Sequence, residues 1–356
     1  MPESGSGPLI VVGLWRSGTS LLYSLLNQHS EIALLYEGDL YLLRALFRPG
    51  NQGDWLGRWE FWNSALTRHN IDTSRIPAAV PDFATAASAV WKQYADGAAV
   101  WGEKSPDYYD CMEILARDFP NARFLVIWRD LADTCRSIVR ARTGSTFFSK
   151  PGLLHRAIIG YHKMKQQCDL LEKRGVPLHQ IYYEELIQKP EQVMAGVCGF
   201  LGLVFEPQMA SLRGADRSAI YTGSHHEQVK SEGIVSSPKK EEVLPPQLKT
   251  KIERYVRYWR SRYAGAWPRY PQVQNDTVAL PSLFERIGDE ILFRLLRAVD
   301  GFTQAVYCYA PYRMLEKYRS AKARRHAEAT SPTAPAQSPV ENIAPVPQVR
   351  KRSSAS

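Results

Sequence analysis

Four groups of residues in this chain are of a type and spacing that could handle anions and protons. The first is Gly13-Leu14-Trp15-Arg16-Ser17-Gly18-Thr19-Ser20, with Gly13 and Gly18 at P-loop spacing. A triphosphatase loop continues with Lys and then Ser or Thr, which reach the β/γ-phosphates and a magnesium ion. Here those positions are Thr19 and Ser20, and the loop's own cation is Arg16. Backbone N–H groups, hydroxyls and Arg16 can hold one terminal phosphate, whereas the lysine for a γ-phosphate is missing. The second group is a lone acid, Glu37, 21 residues after Arg16. The third is Lys104 within Gly102-Glu103-Lys104-Ser105-Pro106. The fourth is Arg129 with Ser137 eight residues later, where a guanidinium fork and a hydroxyl can form a second anion site.

Positioning these groups requires strands that end where they begin. Leu9–Val12, 32–35, 98–101, 123–128 and 180–183 read as short apolar strands. Helical stretches are predicted from about Ser20 to Leu26, over most of 40–95, and over 108–118, 131–142, 153–174, a segment starting near Pro190, and 246–263. Strands alternating with helices predict an α/β fold, a parallel sheet covered on both faces in three layers. In such sheets ligands sit beyond the carboxyl ends of the strands. The Gly13–Ser20 loop, Glu37, Lys104, Arg129 and Tyr183 all fall there. A helical insertion carrying Trp55, Trp59 and Trp62 follows the second strand. It reads as core or, alternatively, as one wall of an acceptor pocket.

In their order along the chain these stretches resemble the sulfotransferases that use 3′-phosphoadenosine 5′-phosphosulfate (PAPS), over roughly residues 8–265. Arg16–Ser20 is similar to the family's 5′-phosphosulfate loop, and Trp128–Ser137 to its 3′-phosphate element. Ile181-Tyr182-Tyr183-Glu184-Glu185-Leu186 resembles a Tyr-Glu strand end, and Gly102–Pro106 resembles a segment of the tyrosylprotein and glycan branches. The resemblance implies a P-loop NTPase-like sandwich with PAPS as co-substrate and no metal. It implies donor contacts from Arg16, Ser17, Gly18, Thr19, Ser20, Arg129, Ser137 and Tyr183. Ser236 and Lys240 are candidates for a late donor-binding loop within 213–245. It also implies Glu37 as general base and Lys104, with Arg16, as stabilisers of the transferring group. The alternatives are a solvated loop acid for Glu37, with Asp39 as its competitor, and an ion pair of Lys104 with Glu103 or Asp107. Related branches carry Arg where this chain has Ala141, between Arg140 and Arg142.

The acceptor is any hydroxyl: glycan, lipid-linked sugar or tyrosine, with the tryptophans and tyrosines tilting the reading towards carbohydrate. A P-loop kinase is the rival enzyme, and a non-catalytic nucleotide-binding or membrane-docking module is the rival of another class. Net charge is +9, but Arg313–Ser356 holds nine of the 45 basic residues and only three of the 36 acidic ones, so nucleic acid is not an expected partner. Five scattered cysteines without a metal-binding pattern, and no apolar leader, predict reduced thiols in a cytoplasmic protein. The expected organisation is a flexible 1–7, a catalytic domain 8–267, a linker 268–282, an amphipathic extension 283–325 with a basic end, and a disordered 326–356. That extension reads either as a helix packed on the domain or as a peripheral contact with an anionic membrane.

Overall fold

The computed structural model describes residues 7–47, 55–77, 80–142, 147–150, 152–220, 234, 245–262, 278–311, 313–314 and 317. Ser236, Lys240 and the 326–356 tail lie outside them, as does most of the expected late loop and linker. Five strands, β1 (Leu9–Gly13), β2 (Ile32–Tyr36), β3 (Val100–Lys104), β4 (Arg123–Trp128) and β5 (Leu178–Tyr182), form one sheet in the order β2-β3-β1-β4-β5. Every neighbouring pair is parallel. The chain places β2 and β3 on one side of β1, then crosses to place β4 and β5 on the other, so the strand order reverses beside β1.

Alternation along β1 explains the three layers. Ile10 and Val12 point to one face, into a cluster with Trp91, Met112, Leu131, Ile158 and Tyr161. These come from α4 (Phe83–Ala95), α5 (Met112–Asp118), α6 (Leu131–Ala141) and α7 (Leu153–Lys173). Leu9 and Val11 point to the other face, into a cluster with Leu22, Leu25, Leu186 and Val197. Those belong to α1 (Thr19–Leu26), α8 (Tyr183–Gln188) and α9 (Pro190–Leu201). Both faces are covered, which is why β1, β2 and β4 read as nearly continuous apolar runs.

The insertion after β2 holds a 3₁₀ segment (Leu40–Phe47), α2 (Trp55–Asn63) and α3 (Ala65–Arg68) before α4. Trp55 and Trp59 are buried in the first cluster, so they belong to the core. Two expected boundaries move. The third strand runs over Val100–Lys104 rather than 98–101, because Glu103 and Lys104 are fully buried and continue the ladder. Tyr183 opens a helix instead of ending a strand. Two further helices follow, α10 (Pro246–Arg262) and α11 (Leu283–Tyr309). The described cysteines, Cys111, Cys135, Cys168 and Cys198, are free and buried, and burial raises their thiols.

Candidate active site

The site lies where β1, β3 and β4 end. After Gly13 the chain turns through Arg16 at φ 67° and Gly18 at φ 99° into α1. Gly18 is required twice over. Its φ is left-handed, and a Cβ there would lie 2.4 Å from Cδ2 of Tyr183. Ser17 is buried, and its Oγ has no hydrogen-bond partner among the described residues. An orphaned hydroxyl beneath a turn of N–H groups is the feature expected of an anion cradle.

Arg129 leaves the end of β4 and lies beneath this turn. Its guanidinium donates to the backbone carbonyl of Arg16 at 2.9 Å, and its Cζ stands 4.2 Å from the centre of the Tyr183 ring. The Arg129 Nε is buried without a partner among the described residues. The neighbouring acids do not take Arg129: Asp130 caps α6 through the Asp133 N–H, and Asp133 pairs with Arg136. Arg16 Nε donates to Ser137 Oγ at 3.0 Å, so Ser137 ties the loop to α6. Burial, the Arg129 charge and, more weakly, Arg140 lower the Arg16 guanidinium to about 10. Arg129 and Arg140 therefore both act on the Arg16 guanidinium, which makes this end of the loop electropositive. Within the 140–142 run it is the Arg140 charge that is felt there, at Arg16 and at Tyr183. Ala141 itself is buried in a small cluster with Trp15 and Phe148.

The other half of the crevice is built by β2 and β3. Tyr36 pairs with Lys104 across the two strands, and the Glu37 N–H donates to the Lys104 carbonyl at 2.8 Å. Glu37 then turns at φ 45°, a left-handed conformation unusual for a non-glycine residue. Its carbonyl is held by Asn63 Nδ2 at 3.1 Å and Arg68 NH2 at 2.8 Å, and Arg68 also donates to Asn63 Oδ1 at 2.6 Å. This turn aims the Glu37 carboxylate at Lys104 Nζ, and the two form an ion pair. Lys104 is fully buried. Its Nζ also lies 3.4 Å from Ser20 Oγ and 4.0 Å from the centre of the Tyr36 ring. Burial pulls the Lys104 pKa down, and Glu37 opposes that fall. Ser20 Oγ and Tyr36 OH share a hydrogen bond of 2.8 Å. A lysine from β3 therefore arrives at the start of α1, close to where the loop's own sequence lacks one.

Behind Lys104 lies a set of acids that motif spacing did not single out as a site. Glu103 is fully buried and accepts from Trp91 Nε1 at 2.9 Å and Tyr108 OH at 2.7 Å. The backbone N–H of Asp39 donates to its other oxygen. Burial outweighs these donors and pushes Glu103 up to about 8. Asp39 accepts from Ser105 Oγ at 2.6 Å and from Asn63 Nδ2 at 3.2 Å, and burial beside Asp107 and Glu37 raises its pKa to about 7. Asp39 is thus tied into the floor, while Glu37 faces the lysine. Asn63 and Arg68 were also missed from sequence. The signal for them was slight: two polar residues in an insertion after the second strand.

The profile of the sulfotransferase family matches residues 8–207, more than half of the chain. The chain belongs to the sulfotransferase family. Among curated relatives, a putative protein-tyrosine sulfotransferase of Caenorhabditis briggsae is 26% identical over 204 residues, 56% of this chain and 67% of that protein. Protein-tyrosine sulfotransferase 2 of Gallus gallus is 27% identical over 205 residues, 55% of this chain and 51% of that protein. The match thus spans two thirds of the first relative's length and about half of the second's. A solved sulfotransferase domain from the curacin biosynthetic pathway superposes with a TM-score of 0.51 at 20% identity, covering 71% of this chain and 97% of that domain. At that identity the likeness establishes the fold. The contacts bring the Gly13–Ser20 loop together with Arg129, Ser137 and Tyr183 on one side and with Glu37 and Lys104 on the other.

Proposed function

We propose that this sulfotransferase moves the sulfuryl group of PAPS to the hydroxyl of a tyrosine in a peptide or protein. The observation that carries the reading is the Glu37–Lys104 ion pair lying against Ser20 of the anion loop. It joins a proton acceptor and a buried cation at the lip of an arginine-rich cradle. The residues present fit such a donor. Ser17 Oγ and Arg129 Nε are buried polar atoms with no described partner, and Gly18 leaves the loop backbone open to a close approach. Ser17 to Ser20 with Arg16 would hold the phosphosulfate end, and Arg129 with Ser137 and Arg140 the 3′-phosphate. PAPS supplies the sulfuryl group and a phosphate leaving oxygen.

The chain's own residues do the rest. Glu37 takes the proton from the acceptor hydroxyl as the new S–O bond forms. The S–O bond to the phosphate breaks, its electron pair stays on the phosphate oxygen, and the Lys104 ammonium stabilises that charge. Burial weakens the hold of Lys104 on its proton, and the adjacent Glu37 carboxylate opposes that fall. No γ-phosphate lysine follows Gly18, so the kinase alternative lacks its first requirement.

The tyrosine acceptor rests on the relatives' names and on the core placement of Trp55 and Trp59. Burial of those two takes two of the three tryptophans of the insertion out of a sugar-stacking wall. Transfer of radiolabelled sulfate from PAPS to a panel of tyrosine peptides, oligosaccharides and simple alcohols tests it. Labelled tyrosine O-sulfate is the expected product. Label found only on sugars would move the acceptor to carbohydrate, and no transfer to any hydroxyl would overturn the catalytic reading.

A further inference from the structure

Helix α11 is amphipathic in the reverse of the usual sense. A helix on a globular domain normally turns its apolar stripe inward. Here the inward side is mostly polar. Asp289 is buried and accepts from Tyr255 OH and, at 2.7 Å, from Lys251 Nζ. Arg297 pairs with Asp110 at 2.7 Å, and Asp300 with Arg156 at 2.8 Å. Phe293 is the apolar anchor on that side, and Leu296 packs at Gly152. A full capping box at Ser282 and Glu285 starts the helix.

The outward side carries Phe284, Ile287, Ile291, Leu295, Val299 and Phe302 at spacings of three and four residues, with no charged residue among them on that face. All six are exposed, Phe284 at 85% and Phe302 at 72%. At about 1.5 Å per residue the stripe is roughly 27 Å long. A contiguous apolar surface of this kind marks an interaction site. The charge around it selects the partner. Arg294 is exposed beside the stripe and pairs with Glu290, and the sequence from Arg313 to Arg325 holds six Lys/Arg against one acid, Glu316. An apolar stripe followed in sequence by a basic segment complements an acyl boundary beneath anionic headgroups. Among the described residues no helix is long and apolar enough to cross a membrane.

We infer that α11 is a membrane-docking helix that lies along an anionic lipid surface, with the catalytic domain held on its polar side. Flotation of the full chain with phosphatidylcholine vesicles, with and without phosphatidylserine, tests this. The full chain is expected to float with the anionic vesicles at least about tenfold more than with the neutral ones, and less so in high salt. The variant Ile291→Asp with Leu295→Asp is expected to lose that flotation at least about tenfold. Its thermal midpoint and its transfer to a soluble acceptor should be unchanged, which shows that the fold survives. Absence of flotation with anionic vesicles would overturn the inference. So would a wild-type chain that is dimeric by light scattering and becomes monomeric in the double variant, because a second copy would then cover the stripe.

Discussion

The two halves of the crevice are built from opposite materials. On the β1–β4 side Arg16, Arg129 and Arg140 crowd together without an acid between the first two, and a serine hydroxyl is left unpartnered. On the β2–β3 side one buried lysine pairs with Glu37, and Asp39 and Glu103 are each held by hydrogen bonds of their own. We read the cluster of cations as the donor-binding half, because an arriving dianion would relieve the repulsion that Arg129 and Arg140 exert on Arg16. We read the lysine–carboxylate pair as the proton-handling half, because it holds one carboxylate at a fixed place beside a buried lysine. On the proposed function, donor affinity belongs to the first half and turnover to the second.

That division can be broken by substitution. Lys104→Ala should cost the most, lowering transfer about a thousandfold, since a preorganised cation at a developing charge is worth roughly 3–4 kcal/mol. The affinity for PAP, the desulfated product, should stay within several-fold by calorimetry. Loss of PAP binding to the same extent as transfer would erase the division. Arg129→Ala should do the reverse. Its charge-assisted bonds predict a Kd for PAP raised by about 10- to 100-fold, while kcat at saturating donor changes little. An unchanged Kd would remove Arg129 from the donor site.

Arg68 sharpens the second half. It touches no reacting atom and acts by holding the Glu37 carbonyl in its left-handed turn. Arg68→Ala should lower kcat by about tenfold with KM for donor unchanged, and Arg68→Lys should recover part of it. A proportional loss of thermal stability with kcat untouched would make Arg68 merely structural. The smallest effect concerns Glu103. Its folded pKa is raised to about 8, so its contribution to stability is present below the ordinary carboxyl range and is lost as the pH rises through about 8. The wild-type midpoint should therefore fall between mildly acidic and mildly basic pH more steeply than that of Glu103→Gln. Parallel curves would mean that Glu103 is ionised at neutral pH.

Much of the binding half was legible in the sequence, and less of the proton-handling half. β1 and β4 are uninterrupted apolar runs, and their carboxyl ends carry Gly13 and Arg129 by adjacency alone. The β3 segment was placed two residues early because Glu103 and Lys104 look like a solvated loop. Their burial depends on partners distant in sequence: Trp91, Tyr108, the Asp39 backbone and Glu37. Pairing of that kind leaves no local pattern. Glu37 and Lys104 were found through a resemblance to a family, whereas Asn63 and Arg68 came only from the fold. Tyr183 was expected at a strand end and instead starts a helix, because β5 ends at Tyr182, opposite Trp128. The apolar periodicity of α11 was plain in the sequence. Its outward direction was not, since periodicity says that a face exists and contacts decide where it points.

The measurement closest to the central claim is made on Glu37→Gln. PAP affinity by calorimetry and single-turnover sulfate transfer from PAPS to a tyrosine peptide are compared with wild type. Removing a carboxylate beside Lys104 should leave PAP affinity within about threefold or raise it, because a bound anion takes over as the lysine's counter-ion. Transfer should fall by about 100-fold or more. Transfer at the wild-type rate, or a loss of PAP binding that accounts for the loss of transfer, would contradict the assignment of Glu37 as the base.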